Sequence, residues 1–468
     1  MEKVKANRLL SLALAGVLAA SMTACGGSSG GQTSSAGASA AGASSGSGTI
    51  SSKQMTLNLW MTPQWKGVFD QTEKGAADGD FFRYVGGEYS KIHPNVKVNV
   101  TVLSGADRDT KLSVALQSGT QPNIFEESTF PMKDFVYQGA VVPIDDIVDE
   151  QSKTDIDDSI WKACQVKGKT YFYPFSQTPS FYMINEDVFK KAGLKVPEKN
   201  QIGKWTPDEF VADLKAIKEK VPEVAPFGFY CKNNQADTWN NVLLRMYGSK
   251  FFKEDSSGMD INNDSTIKAL TLLQTLVKDG LTEKGPSTQQ ATDTDALFRA
   301  GKIAVDFGSF GNYMTAISSM QKGEILPFNI GLMYLPGESD PLTFSYVYAS
   351  SIWQNSDPDL VAAAKDFVKF FSTDEKYTKA SVNFAPVRNS VWKDNASYNG
   401  YYPALQESTK YQVDFTGGIA GYNVWRAAFY PILQSLCTDK VTPQQAAQQM
   451  EEKGNQSIQQ GLQNSVLG

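Results

Sequence analysis

Two adjacent carboxylates, Glu126 and Glu127, have a type and spacing that could serve chemistry on a small molecule. Carboxylates accept hydrogen bonds from hydroxyls, and two of them facing each other across a bond can cleave glycosides. Neighbours in sequence do not by themselves give the opposed placement that an acid and a nucleophile require. The pair therefore reads as hydroxyl acceptors or as a solvated acidic face. The single histidine, His93, stands before Pro94 at a helix end, so histidine-based triads and His-rich zinc sites lack material. The only matches to G-x-S-x-G fall in the Gly/Ser/Ala-rich stretch between residues 26 and 46, where no strand and helix flank them to make a nucleophile elbow, and no Walker loop occurs. Asp260, Asn262 and Asp264 open like a calcium loop, but Ser265 replaces its glycine and Thr271 stands where the closing glutamate belongs. Asp264 or Ser265 is expected instead to cap a helix through Leu270, Leu273 and Val277. No cofactor and no metal is expected, and binding is the chemistry that remains.

Cys25 is a different kind of handle. Lys3, Lys5 and Arg8 precede an apolar run, Leu9 to Ala20, that is short for a membrane span. The run ends in Met22-Thr23-Ala24-Cys25-Gly26, which resembles the lipobox of bacterial lipoproteins with methionine in place of the usual leucine. Residues 1–24 thus read as a lipoprotein signal peptide. The resemblance implies acylation of Cys25 and a lipid anchor on the extracytoplasmic face of the cell membrane. Residues 25–52, almost all Gly, Ser, Ala and Thr after the cysteine, have nothing to bury and read as a tether. No later run approaches the length of a transmembrane helix, so the body should be soluble.

Setting residues 1–24 aside leaves 41 basic and 49 acidic residues, a formal charge of −8, which argues against nucleic acid as a partner. About 416 residues follow the tether, more than one compact core holds and suited to two lobes. Cys164, Cys231 and Cys437 are widely spaced and odd in number, so buried thiols are expected rather than a disulfide framework, with one pairing left open.

The elements that position these groups alternate between strand and helix, the pattern of an α/β fold. Met55 to Leu59 and Val96 to Val102 alternate apolar and polar residues as strands do; Phe82, Val85, Tyr89 and Ile92 recur at helical spacing until Pro94. Helix starts stand at Thr206-Pro207-Asp208-Glu209, with a capping box and Trp205 poised to staple Phe210, at Asp357-Pro358, and at Thr442-Pro443-Gln444-Gln445. A helix from Thr294 to Ala300 should end at Gly301, with a strand from Ile303 to Phe307.

Four segments resemble the extracellular solute-binding proteins of bacterial ABC importers, in the branch that includes maltose-binding protein. They are Ser118-Gly119-Thr120-Gln121-Pro122-Asn123-Ile124; Tyr182 to Leu194 with its Phe189-Lys190-Lys191-Ala192-Gly193-Leu194 and the Trp205 to Phe210 helix start; Leu297 to Val305; and Ala363 to Phe370 followed by Pro386-Val387-Arg388. The resemblance implies a two-lobed, type II periplasmic-binding-protein-like α/β fold with a hinge. By comparison, lobe one spans 53–177 plus 344–398, and lobe two 178–343 plus 399–468. It also implies a monomer that captures a sugar, an oligosaccharide above all, and docks on the permease subunits of an importer. A glycan-acting enzyme, or a surface receptor or adhesin, remains an alternative use of the same body.

A sugar site needs aromatic plates for C–H faces and planar acceptors and donors for the hydroxyl rim. The family's contact regions then point to Trp60, Gln64 and Trp65 after the first strand and to Glu126 and Glu127. On the second lobe they point to Asp237 and Trp239 before a helix, to Phe310 where relatives carry a stacking tryptophan, and to Tyr422, Trp425 and Arg426 before the last helices.

Overall fold

A computed structural model describes residues 50–63, 66–69, 75–104, 107–233, 235–380, 384–394 and 400–467. Residues 1–49, which hold the expected signal peptide, Cys25 and most of the expected tether, lie outside the described residues. No helix among the described residues is long and apolar enough to cross a membrane.

One mixed sheet organises the body. Strands β1 (Met55–Met61), β2 (Val96–Val102) and β3 (Ile124–Ser128) run parallel, joined through helices α1 (Asp80–Ile92) and α2 (Arg108–Ser118). Strand β4 (Phe172–Asn185) is buried over all fourteen residues. Its first half pairs antiparallel with β8 (Phe344–Ile352), which also pairs with β3; its second half pairs with β6 (Ile303–Ser309) and β7 (Ile330–Met333). Strand β5 (Ala225–Phe227) flanks β6 in parallel. The principal strand order is β2-β1-β3-β8-β4-β6-β5.

Two large cores divide along β4. Phe172, Tyr173 and Phe175 belong to one built on β1, α1 and β3; Tyr182 and Ile184 belong to the other. Strand β8 makes the same crossing between Phe344 and Val347. These are the two lobes of a type II binding-protein fold. A third cluster joins Phe181, Met183 and Phe310 with Ala385, Trp392 and Leu405, so residues near 385–392 pack partly against elements of the second lobe.

The helix starts form as their residues dictate. Thr206 and Glu209 make a reciprocal capping box on Pro207–Lys220, with the Trp205 and Phe210 rings 5.3 Å apart. Thr442 and Gln445 do the same for Pro443–Gln463. Gly86, unfavourable in a helix on propensity, is required by packing in α1, because a Cβ there would sit 2.8 Å from Val98 Cβ. The cap of Asp264–Lys278 is Asn263, one residue before the expected Asp264 or Ser265; its side-chain oxygen accepts from Thr266 N. The expected helix at Thr294 begins earlier, at Ala291, because Gln290 and Asp293 form a capping box.

Candidate functional site

A cavity of about 800 Å³, within the size range of small-molecule sites, opens where both lobes and the crossing strand β8 meet. The first lobe supplies Thr62 after β1, Arg108 and Asp109 at the start of α2, and Glu127 on β3. From the second come Tyr230 and Asn233 after β5, Asp237, Thr238 and Trp239 on α5 (Ala236–Leu243), and Arg426 on α9 (Tyr422–Cys437). Strand β8 adds Tyr346 and Tyr348, two residues apart and so on one face.

Each wall holds an arginine–carboxylate pair. On the first, Glu127 Oε2 accepts from Thr62 Oγ1 at 2.6 Å and Arg108 Nη1 at 3.1 Å, while Oε1 accepts from Ser128 N at 2.7 Å. Arg108 also donates through Nε to Asp109 Oδ1 at 2.8 Å. Burial works to lower the Arg108 pKa, and the Glu127 and Asp109 carboxylates outweigh it, leaving it raised.

On the second wall, Arg426 lies along the Asp237 carboxylate, Nε 3.0 Å from Oδ2 and Nη2 donating to Oδ1 at 3.2 Å. Tyr422 donates its hydroxyl to the same Oδ2 at 2.9 Å. Burial raises the Asp237 pKa against the pull of Arg426, and that carboxylate in turn leaves Arg426 raised despite its own burial. The guanidinium stands 5.0 Å from the centroid of the Phe130 ring, a cation–π contact with a ring that packs against the second core. Asp134, on the short helix Lys133–Tyr137, fixes the start of α9 by accepting from Gly421 N at 2.8 Å, Tyr422 N at 3.1 Å and Asn423 N at 2.9 Å.

Of the residues expected from the sequence, Glu127, Asp237, Trp239 and Arg426 line this cavity. Asp237 and Trp239 stand inside α5 rather than before it, because the helix begins at Ala236. Tyr422 is buried behind the wall and supports Asp237. The others lie elsewhere. Glu126 alternates to the opposite face of β3 from Glu127, accepts from Ser350 Oγ, and is pushed up to about 8 by burial. Trp425 is 0% exposed and packs on Phe251 and Phe429, ring centroids 6.4 and 5.1 Å away, since one step along a helix turns a side chain by about 100° from its neighbour. Phe310 stacks on Tyr313 at 5.8 Å in the third cluster. Trp60 is half-buried against the first core and does not line the cavity. Gln64 and Trp65 lie outside the described residues.

Sequence reasoning missed Arg108, Tyr230, Asn233, Tyr346 and Tyr348. Arg108 opens the helix after β2, where ligand loops of open α/β sheets gather. The Tyr-Val-Tyr alternation of β8 was a readable signal for two rings on one face.

Residues 74–378 match the family model described as bacterial extracellular solute-binding protein. The chain belongs to that family. Within it, the chain is 22% identical over 399 residues to the sn-glycerol-3-phosphate-binding periplasmic protein UgpB of Escherichia coli K12, covering 79% of this chain and 87% of UgpB. It is 26% identical over 297 residues to a mannitol-binding protein of Pseudomonas aeruginosa, covering 61% and 63%. The Listeria monocytogenes ABC substrate-binding protein Lmo0181, solved in complex with cycloalternan, superposes with a TM-score of 0.67 at 19% identity over 87% of this chain and all of that one. All three carry names for the binding of a solute or substrate. Family membership sets the fold and the extracellular, solute-binding class.

Proposed function

We propose that this member of the family captures an uncharged carbohydrate, an oligosaccharide above all, between its lobes and delivers it to the permease subunits of an ABC importer. One observation carries the reading. Both arginines of the cavity are neutralised within its walls, and the described lining residues hold two cations, Arg108 and Arg426, against three carboxylates, Asp109, Glu127 and Asp237. A phosphate ester of the kind named for UgpB would meet no unbalanced positive charge there. A hydroxyl rim suits paired donors and acceptors, which it bridges without a charge of its own. Tyr230, Trp239, Tyr346 and Tyr348 supply rings for the C–H faces.

Lobe closure would favour the ligand-bound population by as much as the ligand prefers the closed state. The chain acts as a monomer without catalysis, held at the membrane by lipid on Cys25. Calorimetry of the purified body against neutral sugars, polyols, sn-glycerol 3-phosphate, amino acids and peptides tests the ligand class. Saturable binding of a neutral sugar is expected, and binding of the phosphate ester alone would overturn the reading. Steady release of reducing ends would point to an enzyme. Cys25→Ser should release the body from membranes with ligand affinity intact.

A further inference from the structure

The described cysteines divide unequally. Cys164 is fully buried, with its Sγ in no thiol contact, whereas Cys231 and Cys437, 206 positions apart in sequence, bring their Sγ atoms to 4.0 Å. Both are held on one turn, Pro286–Thr288. Cys231 N donates to Pro286 O at 3.1 Å, and the thiol is directed at the same oxygen at 3.6 Å. Cys437 ends α9, which Gln434 fastens one turn earlier by donating to Ser287 O at 2.8 Å. The two sulfurs thus stand in van der Waals contact, Cys231 held to Pro286 by its backbone and α9 held to Ser287 through the Gln434 side chain, a short approach from bonding distance.

We propose that Cys231 and Cys437 are joined as a disulfide in the exported protein, by exchange with a disulfide oxidant. The inference rests on the family's extracellular placement, where protein thiols oxidise, and not on the identity of the ligand. Cys437 is partly exposed and Cys231 buried, which sets the order of events. The Cys437 thiolate attacks a sulfur of the oxidant, forming a mixed disulfide and releasing one thiol. The Cys231 thiolate then attacks Cys437 Sγ, forming the intrachain bond and releasing the second thiol. Two electrons pass to the oxidant, and the two cysteine protons end on its thiols.

The link would tie the loop carrying Tyr230 and Asn233 to the helix carrying Tyr422 and Arg426. Two parts of the second wall would then be bound covalently behind the cavity. Cys164, fully buried and in no thiol contact among the described residues, serves as an internal control.

The full chain, purified without reductant and equilibrated with oxidised glutathione, is denatured in iodoacetamide and mapped by peptide mass. A linked Cys231–Cys437 peptide is expected, with Cys164 alkylated. Thermal unfolding should shift upward by roughly 4 °C relative to the reduced protein, and Cys231→Ser and Cys437→Ser should each lose the shift. Alkylation of both cysteines after oxidation, or arrest at a glutathione adduct on Cys437, would overturn the proposal. Peptide mapping of wild type decides the matter even if a variant folds poorly. Failure to bind sugar would leave a positive cross-link standing, so the two proposals fail separately.

Discussion

The two walls of the cavity use the same chemical unit and build it differently. On the second wall the pair is sealed: Asp237 is 1% and Arg426 8% exposed, both lie on helices, and Tyr422 takes up an oxygen of the carboxylate. The first wall sits at strand and helix ends. There Glu127 and Arg108 are nearly as buried, with side chains 4% and 10% exposed, but Arg108 is shared with a second carboxylate, Asp109, whose side chain is 46% exposed. A sealed pair is part of the folded core of its lobe, and breaking it costs stability. An arginine with a second, exposed partner can exchange that contact for ligand hydroxyls, and disturbing it is expected to cost affinity first. Beside one member of each pair stands a neighbour turned into the core, Glu126 beside Glu127 and Trp425 beside Arg426.

The largest effect expected concerns the neighbour on the first wall. Glu126 has its pKa raised to about 8 by burial, so the folded protein keeps a proton that the unfolded chain releases above about pH 4.5. Stability is full below that value and falls as pH rises toward 8, by roughly 4–5 kcal/mol in all. Urea unfolding from pH 5 to pH 9 should show the decline, and Glu126→Gln should remove most of this component; an unchanged slope would show that Glu126 ionises freely.

Removing Asp237 with Asp237→Ala leaves Arg426 buried without its partner and should cost about 4 kcal/mol in denaturant unfolding. A loss confined to ligand affinity would erase the distinction between the walls. Trp425→Ala should cost about 3 kcal/mol through the cavity it leaves beside Phe251 and Phe429, with affinity unchanged in the folded fraction. A selective affinity loss would return Trp425 to the site. Glu127→Gln, read by calorimetry, should weaken sugar binding by about 2 kcal/mol, some 30-fold, with a smaller change in unfolding midpoint. Tyr346→Phe removes the hydroxyl that meets Thr238 Oγ1 at 2.7 Å and should cost about 1 kcal/mol of affinity.

The pairing of a lining residue with a core-facing neighbour explains what the sequence made legible. Helix starts with their own local chemistry, such as Thr206-Pro207-Asp208-Glu209, form as read because the caps are complete within four residues. The α/β alternation foretold the fold class, and the chain length with the order of family motifs foretold two lobes. Sites are decided by which way a side chain turns. In β3 the alternation separates Glu126 from Glu127, and in α9 the helical step separates Trp425 from Arg426. Arg108 and Tyr346 become site residues only because the sheet and the crossing strand bring distant segments together, information that no local pattern carries. Asn263 displaced Asp264 as a cap because the helix begins at the first residue whose side chain reaches Thr266 N.

The insertion of β8 between β3 and β4 has a consequence for the order in which the chain becomes a protein. The first lobe cannot close its sheet until residue 352 is available, although its earlier strands precede residue 129. A chain that emerges amino end first therefore presents strands whose permanent neighbour is still to come. Early premature folding is held back by missing material, and the last strand of the sheet arrives as a completing signal rather than an extension.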